Sequence, residues 1–172
     1  MRNISILIFL FATFNFCYAT NHYVDKNVSG GSNNGSSWAN AWQSFSVINW
    51  GSIQPGDNIY ISGGTDSTTY NESLTIGASG NANGLIVIRP GLEAGHNGKV
   101  IISVSGTPVT ISNKKYVRLE KITVKMDHNN AQGIYITGSS TGGSNVVYID
   151  SCRVLDIYPN TNGSSAVLRI NG

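Results

Sequence analysis

Two nine-residue stretches of this chain match position by position at a shift of 30 residues: Tyr116-Val117-Arg118-Leu119-Glu120-Lys121-Ile122-Thr123-Val124 and Val146-Val147-Tyr148-Ile149-Asp150-Ser151-Cys152-Arg153-Val154. Apolar residues fall on apolar residues, and a polar pair interrupts both stretches at the same place. Ile134-Tyr135-Ile136-Thr137-Gly138 likewise resembles Leu168-Arg169-Ile170-Asn171-Gly172 at a shift of 34, and Val109-Thr110-Ile111 at a shift of 25. Constant strands joined by loops of variable length are the pattern of an all-β solenoid, a parallel β-helix. Each coil stacks its inward apolar residues on the coil below, while loops grow freely outside. A β-sandwich would instead show hairpin spacing without this register.

The rest of the chain after Trp50 reads the same way. Short β-branched runs at Asn58–Ser62, Leu74–Ile76, Leu85–Ile88 and Val100–Val104 are each bounded by Gly, Asn or Pro, and Pro55-Gly56-Asp57 is a turn. The 20 glycines and many Asn and Ser residues supply the turns. No segment of helical period separates the strands, which excludes a doubly wound α/β sheet. One helix is predicted, after an N-cap at Ser36-Ser37. It carries Trp38, Ala41, Trp42, Phe45 and Ile48 on one face, as core residues or as a platform for sugar rings.

Met1 to Ala19 read as an export signal. Arg2 is followed by an apolar run from Ile4 to Phe14, too short to span a bilayer, and small residues at Cys17 and Ala19 place cleavage after Ala19. The expectation is a secreted or cell-surface protein with no transmembrane helix in its mature chain. Cys17 leaves with the signal, so Cys152 remains alone as a buried small hydrophobe, and no internal disulfide forms. A formal net charge of +2, with 12% charged residues and no clustered basic face, excludes nucleic acid as a partner.

Tyr23-Val24-Asp25, the Asn/Gly/Ser loop to Ser37, the segment Trp38 to Phe45, and Pro55-Gly56-Asp57-Asn58-Ile59-Tyr60-Ile61-Ser62-Gly63-Gly64 together resemble the start of secreted bacterial right-handed parallel β-helix proteins of the pectate-lyase-like fold. The resemblance covers nearly all of Tyr23 to Gly172. It implies a right-handed solenoid whose open end is capped by a short N-terminal helix. The divisions are then an export signal over 1–19, a cap segment over 20–50, and the first coils over 51–172. Because the chain stops in mid-pattern at Ile170-Asn171-Gly172, the expectation is an N-terminal piece of a longer protein, or a chain that self-associates through an uncapped end.

The resemblance further implies a polysaccharide partner and, for an enzyme, β-elimination on a uronic-acid polymer with Ca2+ as cofactor. A cation neutralises the uronate carboxylate, and a Lys or Arg removes the acidified carbon-bound proton. Candidates are Lys125 and Arg153 as the base, Asp127, Asp150 and Asp156 as metal ligands, and His128 and Tyr158 against substrate. The alternative is a non-catalytic adhesin or structural module. The shift of 30 sets Glu120 beside Asp150 and Thr123 beside Arg153. Asp57 reads as the cap of its turn, and Asp25 as a solvated loop residue or a ligand for a structural cation. His22, His96 and His128 stand singly, without zinc-ligand spacing.

Overall fold

The structure is a computed structural model that describes residues 19–126, 132–138, 146–156 and 166–171. A first strand, β1 (Asn21–Val24), precedes four coils of three strands each. The first coil holds β2 (Asn58–Ile61), β3 (Ser67–Tyr70) and β4 (Leu74–Thr75), and the second β5 (Ile86–Pro90), β6 (Lys99–Val104) and β7 (Val109–Ser112). The third holds β8 (Val117–Glu120), β9 (Ile122–Met126) and β10 (Gln132–Thr137), and the fourth β11 (Val147–Asp150), β12 (Arg153–Asp156) and β13 (Ala166–Asn171). They build three sheets in the orders β1-β2-β5-β8-β11, β12-β9-β6-β3 and β13-β10-β7-β4. All the strand pairs are parallel, and the fold is a parallel β-helix.

The registers read from the sequence hold. Glu120 pairs with Asp150 and Thr123 with Arg153, while Ile134 stands between Val109 and Leu168. Alternate residues point inward and stack in columns. Ile59, Ile88 and Leu119 make one, and Tyr70, Ile102 and Val124 another, all at most 1% exposed. Burying each such aliphatic side chain stabilises the coil by about 1.5–3 kcal/mol. Polar ladders extend the stack outside, as in Asn58 Nδ2 donating to Asn21 Oδ1 at 3.1 Å and Thr137 Oγ1 to Ser112 Oγ at 2.8 Å. Leu168 and Ile170 on β13 are 44% and 67% exposed.

Three features differ from the sequence reading. The predicted helix is instead three single 3-10 turns, at Trp38–Asn40, Phe45–Val47 and Trp50–Ser52. Tertiary backbone bonds break it. Trp42 bridges Val24 in parallel, its N–H donating to the Tyr23 carbonyl and its carbonyl accepting from Asp25 N, each at 2.9 Å. That pairing needs an extended backbone at Trp42, and the Phe45 N–H is taken by Glu72 Oε2 at 3.0 Å. The apolar face was nevertheless read correctly: Ala41, Trp42, Phe45 and Ile48 are buried, and Trp38 is half-buried. The second difference is β3, whose Ser-Thr-Thr-Tyr sequence carries too little apolar signal to be read as a strand, although Thr68 and Tyr70 point inward. The third is Asp25. It is buried rather than solvated, its Oδ1 accepting from Asn27 N at 2.9 Å and its Oδ2 standing 3.5 Å from His96 Nδ1.

Tyr70 shows how a polar atom is accommodated in this core. Its ring is fully buried against Phe45, and its hydroxyl donates to the Ser62 carbonyl at 2.9 Å. Burial, reinforced by the nearby Asp25 carboxylate, pushes the phenol far above the usual tyrosine range. The native state therefore keeps a proton that the unfolded chain releases above about pH 10, so stability is full below that pH and falls as pH rises beyond it. Tyr70→Phe is expected to lose about 1 kcal/mol at neutral pH, by orphaning the Ser62 carbonyl, and to flatten the alkaline decline. Urea denaturation of both proteins at neutral and alkaline pH checks this, and parallel declines would refute it.

The export signal expected from the sequence lies, up to Tyr18, outside the described residues. Among the described residues no helix is long and apolar enough to cross a membrane.

Candidate functional site

The outward positions of the five-stranded sheet carry most of its chemistry-bearing side chains. In one column Tyr23 pairs with Tyr60, Tyr60 with Arg89, and Glu120 with Asp150. Arg89 joins the two halves, since its Nη1 lies 3.3 Å from Glu120 Oε2. The neighbouring column runs Asn21, Asn58, Val87, Arg118, Tyr148. Parallel strands about 4.8 Å apart make this a regular ladder of side chains on one nearly flat face.

Aromatic rings occupy both ends of the face. Tyr23 and Tyr60 stack at 5.9 Å, and the Trp38 ring meets Tyr23 edge-on at 4.8 Å. Trp38 is itself held by His96, parallel at 3.8 Å, and by its indole N–H donating to Glu93 Oε2 at 3.0 Å. Further along, Tyr148 is 45% exposed, with the Arg118 guanidinium 5.0 Å from its ring centroid. Glu120 is shared by two arginines, because Arg118 Nη1 stands 3.5 Å from its other oxygen. Nε of both Arg89 and Arg118 is shielded from solvent and has no hydrogen-bond partner among the described residues. One carboxylate thus faces two guanidinium groups, while Asp150, in register with Glu120, gives the face a second carboxylate.

A second polar cluster has the composition of a nucleophilic relay without its geometry. His96 Nδ1 lies 2.9 Å from Ser62 Oγ and 3.5 Å from Asp25 Oδ2. A relay needs the serine on one ring nitrogen and the carboxylate on the other, whereas here both meet the same atom. The cluster therefore fastens the β5–β6 connection to the first coil. Asp57 works similarly. It caps its own turn through Gln54 N at 2.8 Å, as expected, and also accepts from Thr20 N at 2.8 Å and contacts His22 Nε2 at 3.1 Å. His22 and His96 are each tied to an aspartate, a pairing invisible in the sequence because 35 and 71 residues separate the partners.

The residues singled out from the sequence are spread over different faces. Lys125 is a half-buried residue of β9, in register with Ser103 and Leu155, and Arg153 is an exposed residue of β12. Asp150 stands on β11 of the five-stranded sheet, exposed, its Oδ1 accepting from Ser151 Oγ at 2.9 Å. Asp156 ends β12 opposite Met126, and its side chain is outside the description. Asp127, His128 and Tyr158 lie outside the described residues. Among the described residues no group of three or more His, Cys, Asp or Glu converges as metal ligands. Cys152 is half-buried against the core, its thiol pushed up chiefly by burial, and its Sγ is 3.5 Å from the Leu119 carbonyl oxygen.

The aromatic and arginine face was missed at the sequence level. Its column members Tyr23, Tyr60, Arg89 and Glu120 recur at spacings of 37, 29 and 31 residues. Loops of unequal length hide that recurrence, and only strand-by-strand alignment of the β-branched runs would have recovered it.

No family model matches the chain, and no curated protein matches it. Solved structures do. The chain is similar to the GH136 lacto-N-biosidase from Eubacterium ramulus, seen in a selenomethionine derivative (TM-score 0.69, 14% identity, 88% of this chain) and in the native protein (TM-score 0.68, 15% identity, 84% of this chain). The match covers 30% and 28% of those chains, so this chain spans under a third of the length of the enzyme it resembles. At such identity the likeness is one of fold.

Proposed function

We propose that this chain belongs to an exported β-helix protein that binds polysaccharide along the outward face of its five-stranded sheet. The observation that carries this reading is the ladder of Trp38, Tyr23, Tyr60, Arg89, Glu120, Arg118 and Tyr148 on one flat, regularly spaced surface. Aromatic rings offer apolar faces to the C–H faces of sugars, while arginine and carboxylate groups hydrogen-bond their hydroxyls. A repeating surface suits a repeating polymer. The likeness of fold to a lacto-N-biosidase supports a carbohydrate ligand. An outward sheet face, half-buried along most of its length and exposed at Tyr148 and Asp150, also fits a non-catalytic extended surface module.

The catalytic form of the proposal is β-elimination on a uronic-acid polymer, with Lys125 or Arg153 as base, Asp127, Asp150 and Asp156 holding Ca2+, and His128 and Tyr158 against substrate. Of these candidate calcium ligands, only the Asp150 side chain is among those described. Lys125 and Arg153 stand on a different sheet from Asp150, which favours binding over catalysis on this stretch.

Affinity electrophoresis of the exported protein against pectate, alginate, glycosaminoglycan and neutral glycans tests the reading. At least one polymer should retard the protein, and Tyr60→Ala with Tyr148→Ala should weaken that retardation about tenfold, for two lost ring contacts. Retardation by none of them, or unchanged retardation of the double variant, would remove the proposal. New ultraviolet absorbance from an unsaturated sugar product would establish the lyase form.

A further inference from the structure

A concave feature lies beside this flat face, at the corner where the chain leaves the five-stranded sheet for the next. It is a pocket of about 280 Å³ lined by Arg89, Pro90, Gly91, Leu92, Asn97, Gly98, Lys99 and Lys121. Three of these are cations and none is a carboxylate. They come from different elements: Arg89 from β5, Lys99 from the start of β6, and Lys121 from the corner after β8. Lys99 and Lys121 are exposed, and neither forms an ion pair with a described carboxylate. Arg89 shares its one carboxylate, Glu120, with Arg118, so the guanidinium charge is only partly neutralised.

The turn does not explain why Lys121 is a lysine. Its φ is +53°, a left-handed conformation that Asn or Gly adopts at lower cost, and Ser151 takes the same conformation one coil later. The corner needs that backbone, not an ammonium group. Two of the lining residues are glycines because of tight packing. A Cβ on Gly98 would lie 2.4 Å from the Gly63 carbonyl oxygen, and one on Gly91 would lie 2.8 Å from His96. Pro90 and Leu92 make part of the lining apolar, and its polar side chains are Asn97 and the three cations.

We propose that this pocket binds a tetrahedral oxyanion, a sulfate or phosphate ester group carried on the polymer. Three cations from three separate elements line one pocket, and a tetrahedral group with three free oxygens offers one oxygen to each, where a planar carboxylate has only two. Two of the cations are lysines, which act as point charges without the bidentate geometry that favours carboxylate. Only the identity of the carrier rests on the polysaccharide reading. The site itself is tested without it.

Isothermal titration of the exported protein with inorganic sulfate and inorganic phosphate, against chloride at matched ionic strength, is the first arm. Saturable binding is expected, weakened about tenfold in Lys99→Gln/Lys121→Gln by the loss of two charge-assisted contacts. Both lysines are exposed, so the variant is expected to fold, which circular dichroism checks. Comparing the two anions shows which ester the site prefers. No saturable binding, binding unchanged in the variant, or acetate binding as tightly as sulfate would each overturn the proposal. The second arm compares sulfated with desulfated oligosaccharides, and only the sulfated form should lose affinity in the variant. Inorganic sulfate bound without any glycan bound would uphold the oxyanion site and sink the polysaccharide reading. Glycan bound without any effect of sulfate or of the lysines would do the reverse.

Discussion

Gly63→Ala is expected to destabilise the protein by roughly 3–5 kcal/mol, although it adds a single methyl group. A Cβ on Gly63 would lie 1.9 Å from the Gly98 carbonyl oxygen and 2.1 Å from its carbonyl carbon. Those are backbone atoms, so no rotamer change relieves the overlap. The two segments are also cross-bonded, Gly63 N–H donating to the His96 carbonyl and Gly98 N–H to the Gly64 carbonyl, each at 2.9 Å. Separating them strains both bonds and pulls the β5–β6 connection away from the first coil. The usual gain from replacing glycine, about 0.4–1 kcal/mol through the unfolded chain, is too small to compensate. Gly106→Ala serves as the control, because a Cβ there meets nothing within 4 Å. Its effect should stay within about 0.5 kcal/mol. Urea midpoints measure both, and equal midpoints for the two variants would show that the backbones at Gly63 and Gly98 are not in contact.

Trp42→Ala is expected to cost a further class of stability, about 3–5 kcal/mol, by emptying the end of the solenoid. The indole is 2% exposed, stacks on His22 at 5.5 Å, and lies so close over Gly35 that a Cβ there would stand 2.7 Å from the ring. His22 in turn contacts Asp57, which holds the Pro55-Gly56 turn. Losing the ring therefore loosens a chain of contacts from the Asn/Gly/Ser loop to the start of β2. Trp42→Phe should recover part of the loss by refilling some of the volume. A change under about 1 kcal/mol in Trp42→Ala, read from thermal or urea unfolding, would mean that this segment does not cap the core. The apolar columns beneath it would then need cover from elsewhere.

The coil register was legible because parallel stacking demands it. A one-residue slip would turn every inward Ile and Val outward, so the pattern survives in the sequence even where loops vary. The strand β3 was not legible, since its inward residues Thr68 and Tyr70 carry polar atoms, and the Tyr70 hydroxyl is satisfied by the Ser62 carbonyl on another segment. The single amphipathic helix was misread for a related reason. Its apolar spacing is real and its buried face was correct, yet Val24 claims the Trp42 backbone and Glu72 the Phe45 N–H. Helical periodicity reports which side chains are buried and is blind to competing long-range hydrogen bonds.

For the candidate sites the division follows the same line. The pairing of Glu120 with Asp150 and of Thr123 with Arg153 came directly from the repeat. Which residues share an outer face across coils of unequal length did not, because the faces are assembled by loops whose lengths carry no period. By itself the sequence determined an all-β parallel solenoid and the register of its later coils, through the repetition of apolar residues that must stack to leave water. Only the tertiary structure decided that Tyr23, Tyr60, Arg89, Glu120 and Arg118 form one surface, that His96 meets Asp25 and Ser62 on one nitrogen, and that Arg89, Lys99 and Lys121 ring one hollow. Those are contacts between residues far apart in the chain, and nothing local in the sequence requires polar groups on the outside of a coil to be neighbours.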